Sequence, residues 1–154
     1  MAEKTDNPEK KQLERPGRDR KESSTGMREE RGRHIGDMTV DDKFTLWGGV
    51  TGDLRVVDGG KCYVRGNVGG DLIVDFGGRV HVYGHIAGNL QLFRGAKVIL
   101  SGTVSQNANN KNARLFIDPH GRVLGKVKTI GKHAETHIED AYGGVKIEYG
   151  PERK

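Results

Sequence analysis

A chain of 154 residues has room for one ordinary domain and a tail. Its 26 Lys and Arg against 21 Asp and Glu leave a formal charge of +5, too small to announce a specific nucleic-acid binder, and its single cysteine excludes an internal disulfide. No run approaches the roughly 20 apolar residues of a membrane-spanning helix, and no apolar stretch of the secretory type opens the chain, so a reducing, cytoplasmic setting is expected.

Residues 1–38 hold Pro8, Pro16, a Ser-Ser-Thr run and ten basic against nine acidic residues, with few hydrophobes. Such a segment cannot bury enough surface to fold alone, so it reads as a disordered charged tail. From residue 39 the chain leads into a repeat. Residues 43–60, 61–78 and 79–96 align as three 18-residue lines without a gap, and a fourth begins at Lys97. A fixed period of this size signals a solenoid.

A smaller period runs inside each line. Phe44, Val50, Val56, Cys62, Val68, Val74, Val80, Ile86, Leu92, Val98 and Val104 fall at intervals of six. A helix of 3.6 residues per turn puts no such series on one face. Short strands separated by glycine-bearing bends do. Three strands per line give a triangular coil, and successive coils pair at about 4.8 Å. The fold expected is all-β: a triangular β-helix, or β-solenoid, of about five coils over residues 39–127. Its core is a set of ladders: Phe44 with Cys62, Val80 and Val98; Leu46 with Val64, Val82 and Leu100; Val50 with Val68, Ile86 and Val104; Leu54 with Leu72 and Leu90; Val56 with Val74 and Leu92. Each enclosed Val or Leu contributes about 1.5–3 kcal/mol, but only once neighbouring coils cover it.

Residues 107–113 interrupt the pattern with a polar run, read as a loop extruded at one corner. Leu115 and Ile117 then align with Leu90 and Leu92, and Arg122 with Arg79. Residues 128–154 read as a C-terminal cap and frayed tail, with an edge strand over 145–149. Cys62, in a core column, reads as a small buried hydrophobe.

Three outward columns are candidates for function. Lys43, Lys61, Arg79, Lys97 and, after the loop, Arg122 form a basic stripe. Its members repel one another by roughly a few tenths of a kcal/mol per hydrated pair, and it suits an anionic membrane surface or an acidic protein. Asp53, Asp71, Asn89 and Asn107 form an Asx column suited to bonding the backbone of its own bends. Trp47, Tyr63, Tyr83 and Phe93 give aromatic surface, a candidate assembly face. His81, His85 and His120 do not converge by column, so no metal site is expected. No catalytic constellation and no cofactor motif appears.

The lines Val-Arg-Gly-Asn-Val-Gly-Gly-Asp-Leu (64–72) and Val-Tyr-Gly-His-Ile-Ala-Gly-Asn-Leu (82–90), with the tail–core–tail layout, resemble the bactofilins, polymer-forming bacterial cytoskeletal proteins. That resemblance implies a right-handed β-helix that assembles without nucleotide into non-polar filaments, often beside the inner membrane. The period also resembles the left-handed hexapeptide-repeat proteins, many of them trimeric acyltransferases. That resemblance would nominate His85 and the 107–113 loop. The expected function is self-assembly as a non-enzymatic scaffold. The alternatives are a monomeric module that binds through its loop or basic stripe, and a hexapeptide-type acyltransferase. An uncapped solenoid end exposes strand edges and an open core, so the coils near Phe44 and Val123 are expected to carry the joint.

Overall fold

A computed structural model describes residues 28–151. Six triangular coils stack in it. Coil one holds β1 (Arg28–Glu30), β2 (Arg33–His34) and β3 (Met38–Val40). Coil two holds β4 (Lys43–Leu46), β5 (Gly49–Val50) and β6 (Leu54–Val56). Coil three holds β7 (Lys61–Val64), β8 (Asn67–Val68) and β9 (Leu72–Val74). Coil four holds β10 (Arg79–Val82), β11 (His85–Ile86) and β12 (Leu90–Leu92). Coil five holds β13 (Lys97–Leu100), β14 (Thr103–Val104) and β15 (Ala108–Lys111). Coil six holds β16 (Arg114–Ile117), β17 (Arg122–Val123) and β18 (Val127–Ile130). Then β19 (Glu135–Glu139) continues the stack, and β20 (Val145–Tyr149) doubles back antiparallel on it. No helix occurs among the described residues.

The strands collect into three sheets, one per side of the triangle. Sheet A runs β1-β4-β7-β10-β13-β16-β19-β20, sheet B runs from β2 to β17, and sheet C from β3 to β18. All pairings are parallel except β19 with β20. The expected registers hold through the regular lines: Phe44 over Cys62, Leu46 over Val64, Val50 over Val68, Leu72 over Leu90. All the ladder residues from Phe44 to Val104 are buried in one core.

Glycine sets how closely the coils approach at the corner after sheet A. A Cβ on Gly48 would overlap the carbonyl oxygen of Gly32, and one on Gly66, Gly84 or Gly102 would overlap that of the glycine one coil before. This column of bare backbone lets the corner follow the strand spacing on either side of it.

Several of these expectations need correction. The solenoid begins at Arg28, not at residue 39, so residues 28–38 belong to coil one. The reading of residues 1–27 as a tail lies outside the described residues. Residues 107–113 are not an extruded loop. β15 pairs with β12 on one side and β18 on the other, with Ala108 over Leu90 and Asn110 over Leu92. Asn110 is fully buried, and its amide is satisfied: Nδ2 donates to the Glu135 carbonyl (2.9 Å) and to Thr136 Oγ1 (3.0 Å), and Oδ1 accepts from the Ala113 N–H (2.9 Å). A bonded amide can stand in a core column where an orphaned one could not. The register of coil six therefore shifts: Leu115 lies under Val98 and Ile117 under Leu100, both in sheet A, and Arg122 lies under Thr103 in sheet B. The extra residues sit at the corners 118–121 and 131–134.

The core ends are also closed. Arg28 lies over the Phe44 ring (4.7 Å) and pairs with Asp42 through two nitrogens. At the other end Asn110, Thr136 and Thr129 form a hydrogen-bonded polar floor. Phe44 is fully buried and cannot form a joint, whereas Val123 stays half-buried on the last strand of sheet B. The stretch 145–149 is the expected edge strand.

The glycine column gives a sharp comparison between neighbours. A Cβ on Gly49 meets nothing nearer than the Asn67 oxygen at 3.6 Å. Gly48→Ala is expected to lower the melting temperature by about 10 °C and Gly49→Ala by no more than about 2 °C. Circular dichroism melts of the two variants check this.

Candidate functional site

Two parallel columns run down the outer side of sheet A and a third down the corner past it, and the strand register fixes each one. The first is cationic. Lys43, Lys61, Arg79 and Lys97 stack as expected, and the next member is Arg114, not Arg122. Below Arg114 stands Glu135. Arg122 lies on another side of the triangle, so the stripe is straighter than the sequence suggests.

The second column alternates out of the core: Tyr63, His81, Ile99, Phe116 and His137, with Ile147 paired across from His137. The Tyr63 and His81 ring centroids are 6.4 Å apart, and those of Phe116 and His137 are 4.7 Å apart. Lys61 and Lys97 of the first column reach over Tyr63 and Phe116, each at 5.8 Å.

The third column lies at the corner past sheet A. Arg31 and Arg65 flank the Trp47 ring, each at 5.1 Å, and Arg65 lies 4.2 Å from the Tyr83 ring. Each contact of this kind is worth about 0.5–1 kcal/mol at an exposed site. Trp47 and Tyr83 remain about two-fifths exposed. Three of the four expected assembly residues thus share one face. Phe93 does not: it sits beyond sheet C under Lys111 (5.5 Å).

Below Tyr83 the third column becomes a polar relay. The Tyr83 hydroxyl lies 3.1 Å from His81 Nδ1, the two rings stack at 4.0 Å, and His81 Nε2 lies 3.0 Å from Ser101 Oγ. Ser101 donates its proton to Asp118. The remaining directions follow: His81 Nε2–H donates to Ser101, and Nδ1 accepts from Tyr83. Burial holds the His81 pKa below its usual value, against a smaller opposing pull from Asp118, as a neutral ring in this chain requires. Burial pushes Asp118 up. Bonds from Ser101 and from the N–H groups of His120 and Gly121 outweigh it and hold the carboxyl below its usual range. In a nucleophilic triad the serine proton points at histidine; here it points at the carboxylate, so the relay braces the corner.

The Asx column is a ladder of side chain to backbone. Asp37 Oδ1 accepts the Asp53 N–H, Asp53 that of Asp71, Asp71 that of Asn89, Asn89 that of Asn107, and Asn107 that of Lys126, at 2.7–3.0 Å. It joins all six coils. His85 bonds Ser105 (2.6 Å) on sheet B, away from His81. No group of metal-ligating side chains converges among the described residues. Cys62 is buried, and burial pushes its thiol pKa up to about 12.

Sequence reasoning missed Arg31, Arg114 and Asp118. The signal for Arg31 was present: Gly32 and Gly36-Asp37 repeat Gly48 and Gly52-Asp53 at an offset of 16 rather than 18.

Two outcomes follow. Asp71 also accepts from Gln91 Nε2 (3.2 Å); Asp71→Ala should cost about 1.5–3 kcal/mol in urea denaturation, and Asp71→Asn clearly less. For pH, the unfolded His81 binds a proton near 6.5, while the folded one binds it only at lower pH. Stability is therefore lost as pH falls below about 6.5, and Asp118 adds a loss below about 3.9. The fall in denaturation midpoint between pH 7.5 and 5 should be smaller in His81→Gln than in the unaltered chain.

No protein-family model, curated protein or solved structure matches this chain.

Proposed function

We propose that this chain is a non-enzymatic scaffold that assembles with copies of itself into filaments, the activity implied by its resemblance to the bactofilins. One observation carries the reading. Among the described residues nine large hydrophobic side chains are exposed, and six of them lie at the two ends of the stack: Ile35 in coil one, and Leu124, Tyr142, Val145, Ile147 and Tyr149 at the other end. Scattered single hydrophobes are normal on a surface, but a concentration at the ends points to contact there.

The strand edges support the same reading. β2 and β3 pair on one side only, as do β17 and β18. All four leave one edge open, so a second copy set against the same end across a two-fold axis can extend sheets B and C. β20 offers sheet A a different edge. On one face of β20 the exposed Lys146 pairs with Glu148 (3.3 Å), which also accepts from Thr129 of the polar floor (3.5 Å), while Val145 and Ile147 stand exposed on the other face. An antiparallel edge can meet its own copy across a two-fold axis. The joint proposed is therefore made by strand edges and the apolar side chains beside them, with no nucleotide involved.

Negative-stain electron microscopy of the full chain, without nucleotide, tests this. Filaments about one coil wide are expected, and Leu124→Arg with Ile147→Arg should leave small particles of unchanged circular dichroism. Uniform small particles from the unaltered chain at every concentration would end the proposal.

A further inference from the structure

The basic column does not stand alone. Where sheet C turns into sheet A, at the level of coils four to six, an open cavity of about 610 Å³ lies between the column and the neighbouring corner turns. Arg79, Lys97 and Arg114 line one side; Arg94 and Lys132 come from the turns; Glu135 is the one carboxylate. Five cationic side chains thus face one carboxylate. None of the five is in an ion pair with the described residues, in contrast to Arg55, which pairs with Asp75 (2.6 Å), and Arg31, which pairs with Glu29 (3.1 Å).

The turns that form the cavity are held in place. Asn112 takes a positive φ of 58°, rare for a residue with a side chain. Its Oδ1 accepts the His133 N–H (3.1 Å), which ties down the turn carrying Lys132. Gly95, at φ 82°, packs its bare Cα against the Phe76 ring, where a Cβ would collide. Phe76 gives the cavity an exposed apolar wall. The volume lies within the usual range for small-molecule sites, about 300–1,000 Å³.

From this geometry we infer that the corner cavity is a binding site for an anion carrying at least two phosphate charges, gripped by Arg79, Arg94 and Arg114 with Lys97 and Lys132 alongside. Guanidinium forks match phosphate oxygens in pairs, and lysines add point charge. Cations spaced by strand pairing, about 4.8 Å apart, repel one another until an anion lies across them. The same chemistry suits a soluble diphosphate or the phosphodiester headgroups of a lipid surface. The site lies on the flank of the stack, and none of its five cations belongs to the strand edges or apolar side chains of the proposed joint, so it stands whether or not the chain forms filaments.

The test uses the full chain and two probes. Inorganic pyrophosphate is titrated by calorimetry, and vesicles of phosphatidylglycerol with phosphatidylcholine are co-sedimented beside pure phosphatidylcholine vesicles. The variants are Arg94→Glu with Lys132→Glu, the neutral pair Arg94→Gln with Lys132→Gln, and Lys43→Glu as a control on the same column but outside the cavity. The inference expects at least one probe to bind, at least tenfold weaker binding in the charge-reversed pair, an intermediate loss in the neutral pair, and a change under twofold in the control. Pyrophosphate binding alone identifies a soluble ligand; binding to the phosphatidylglycerol vesicles alone identifies a headgroup site. Absence of binding by both probes at 1 mM phosphate (about 10⁻³ M, the weak end of specific affinity) overturns the inference. So does an equal loss in Lys43→Glu, which would mean a diffuse stripe with no site.

Discussion

Parallel pairing between successive coils is the constraint from which the rest of this molecule follows. A single coil of three strands has no partner for its backbone and no cover for its inward side chains. Stacking supplies both, and it does so only if each strand lies in register on the strand one coil away. Register then decides where every side chain goes. An inward valine stands over an inward valine, an outward lysine over an outward lysine. It also decides where glycine is compulsory, because the corner after sheet A brings carbonyl oxygens to where a Cβ would stand. The Asx ladder answers the same demand at another corner, where a side-chain oxygen takes the N–H of the next coil.

The fold was legible in the sequence where consecutive lines keep one offset. From Lys43 to Val104 that offset is 18, and there the core columns could be read directly. It was obscured where the offset changed or where polar residues took inward places. Coil one stands 16 residues above coil two, and its column over Phe44 begins with Arg28, whose charge is met by Asp42 and whose guanidinium covers the ring. By composition the segment resembles a tail; by pairing it is a coil. In coil five the column of Val56, Val74 and Leu92 continues as Asn110, and the polar run around it read as a loop. A buried asparagine is permitted there because Ala113, close by in the chain, and Glu135 and Thr136 of a strand that begins 25 residues on satisfy it.

The outer surface was legible in part for the same reason. Columns inside the regular repeat, such as Lys43 to Lys97 and Trp47 to Tyr83, could be listed from the spacing. Their continuation could not, since the corner 118–121 and the shortened turn before Arg114 both shift the count. Hence Arg114 completes the basic column and Arg122 leaves it. The cavity beside that column was beyond the reach of spacing altogether. It arises because the turns at Arg94 and Lys132 bring cations from a different corner column against it. The stack thus divides its surface: ends with strand edges and apolar side chains, one flank with positive charge that pairs with no carboxylate among the described residues.

An unbroken backbone ladder runs from coil one to β19, through the two stretches whose composition argues against it. Hydrogen–deuterium exchange followed by mass spectrometry reads that ladder residue range by residue range. Amides in 108–111 are expected to exchange as slowly as those in 90–92, and 38–40 to be protected well above the level of an unfolded chain. Complete exchange of 108–111 within seconds, while 90–92 stays protected, would contradict it and return that stretch to an extruded loop.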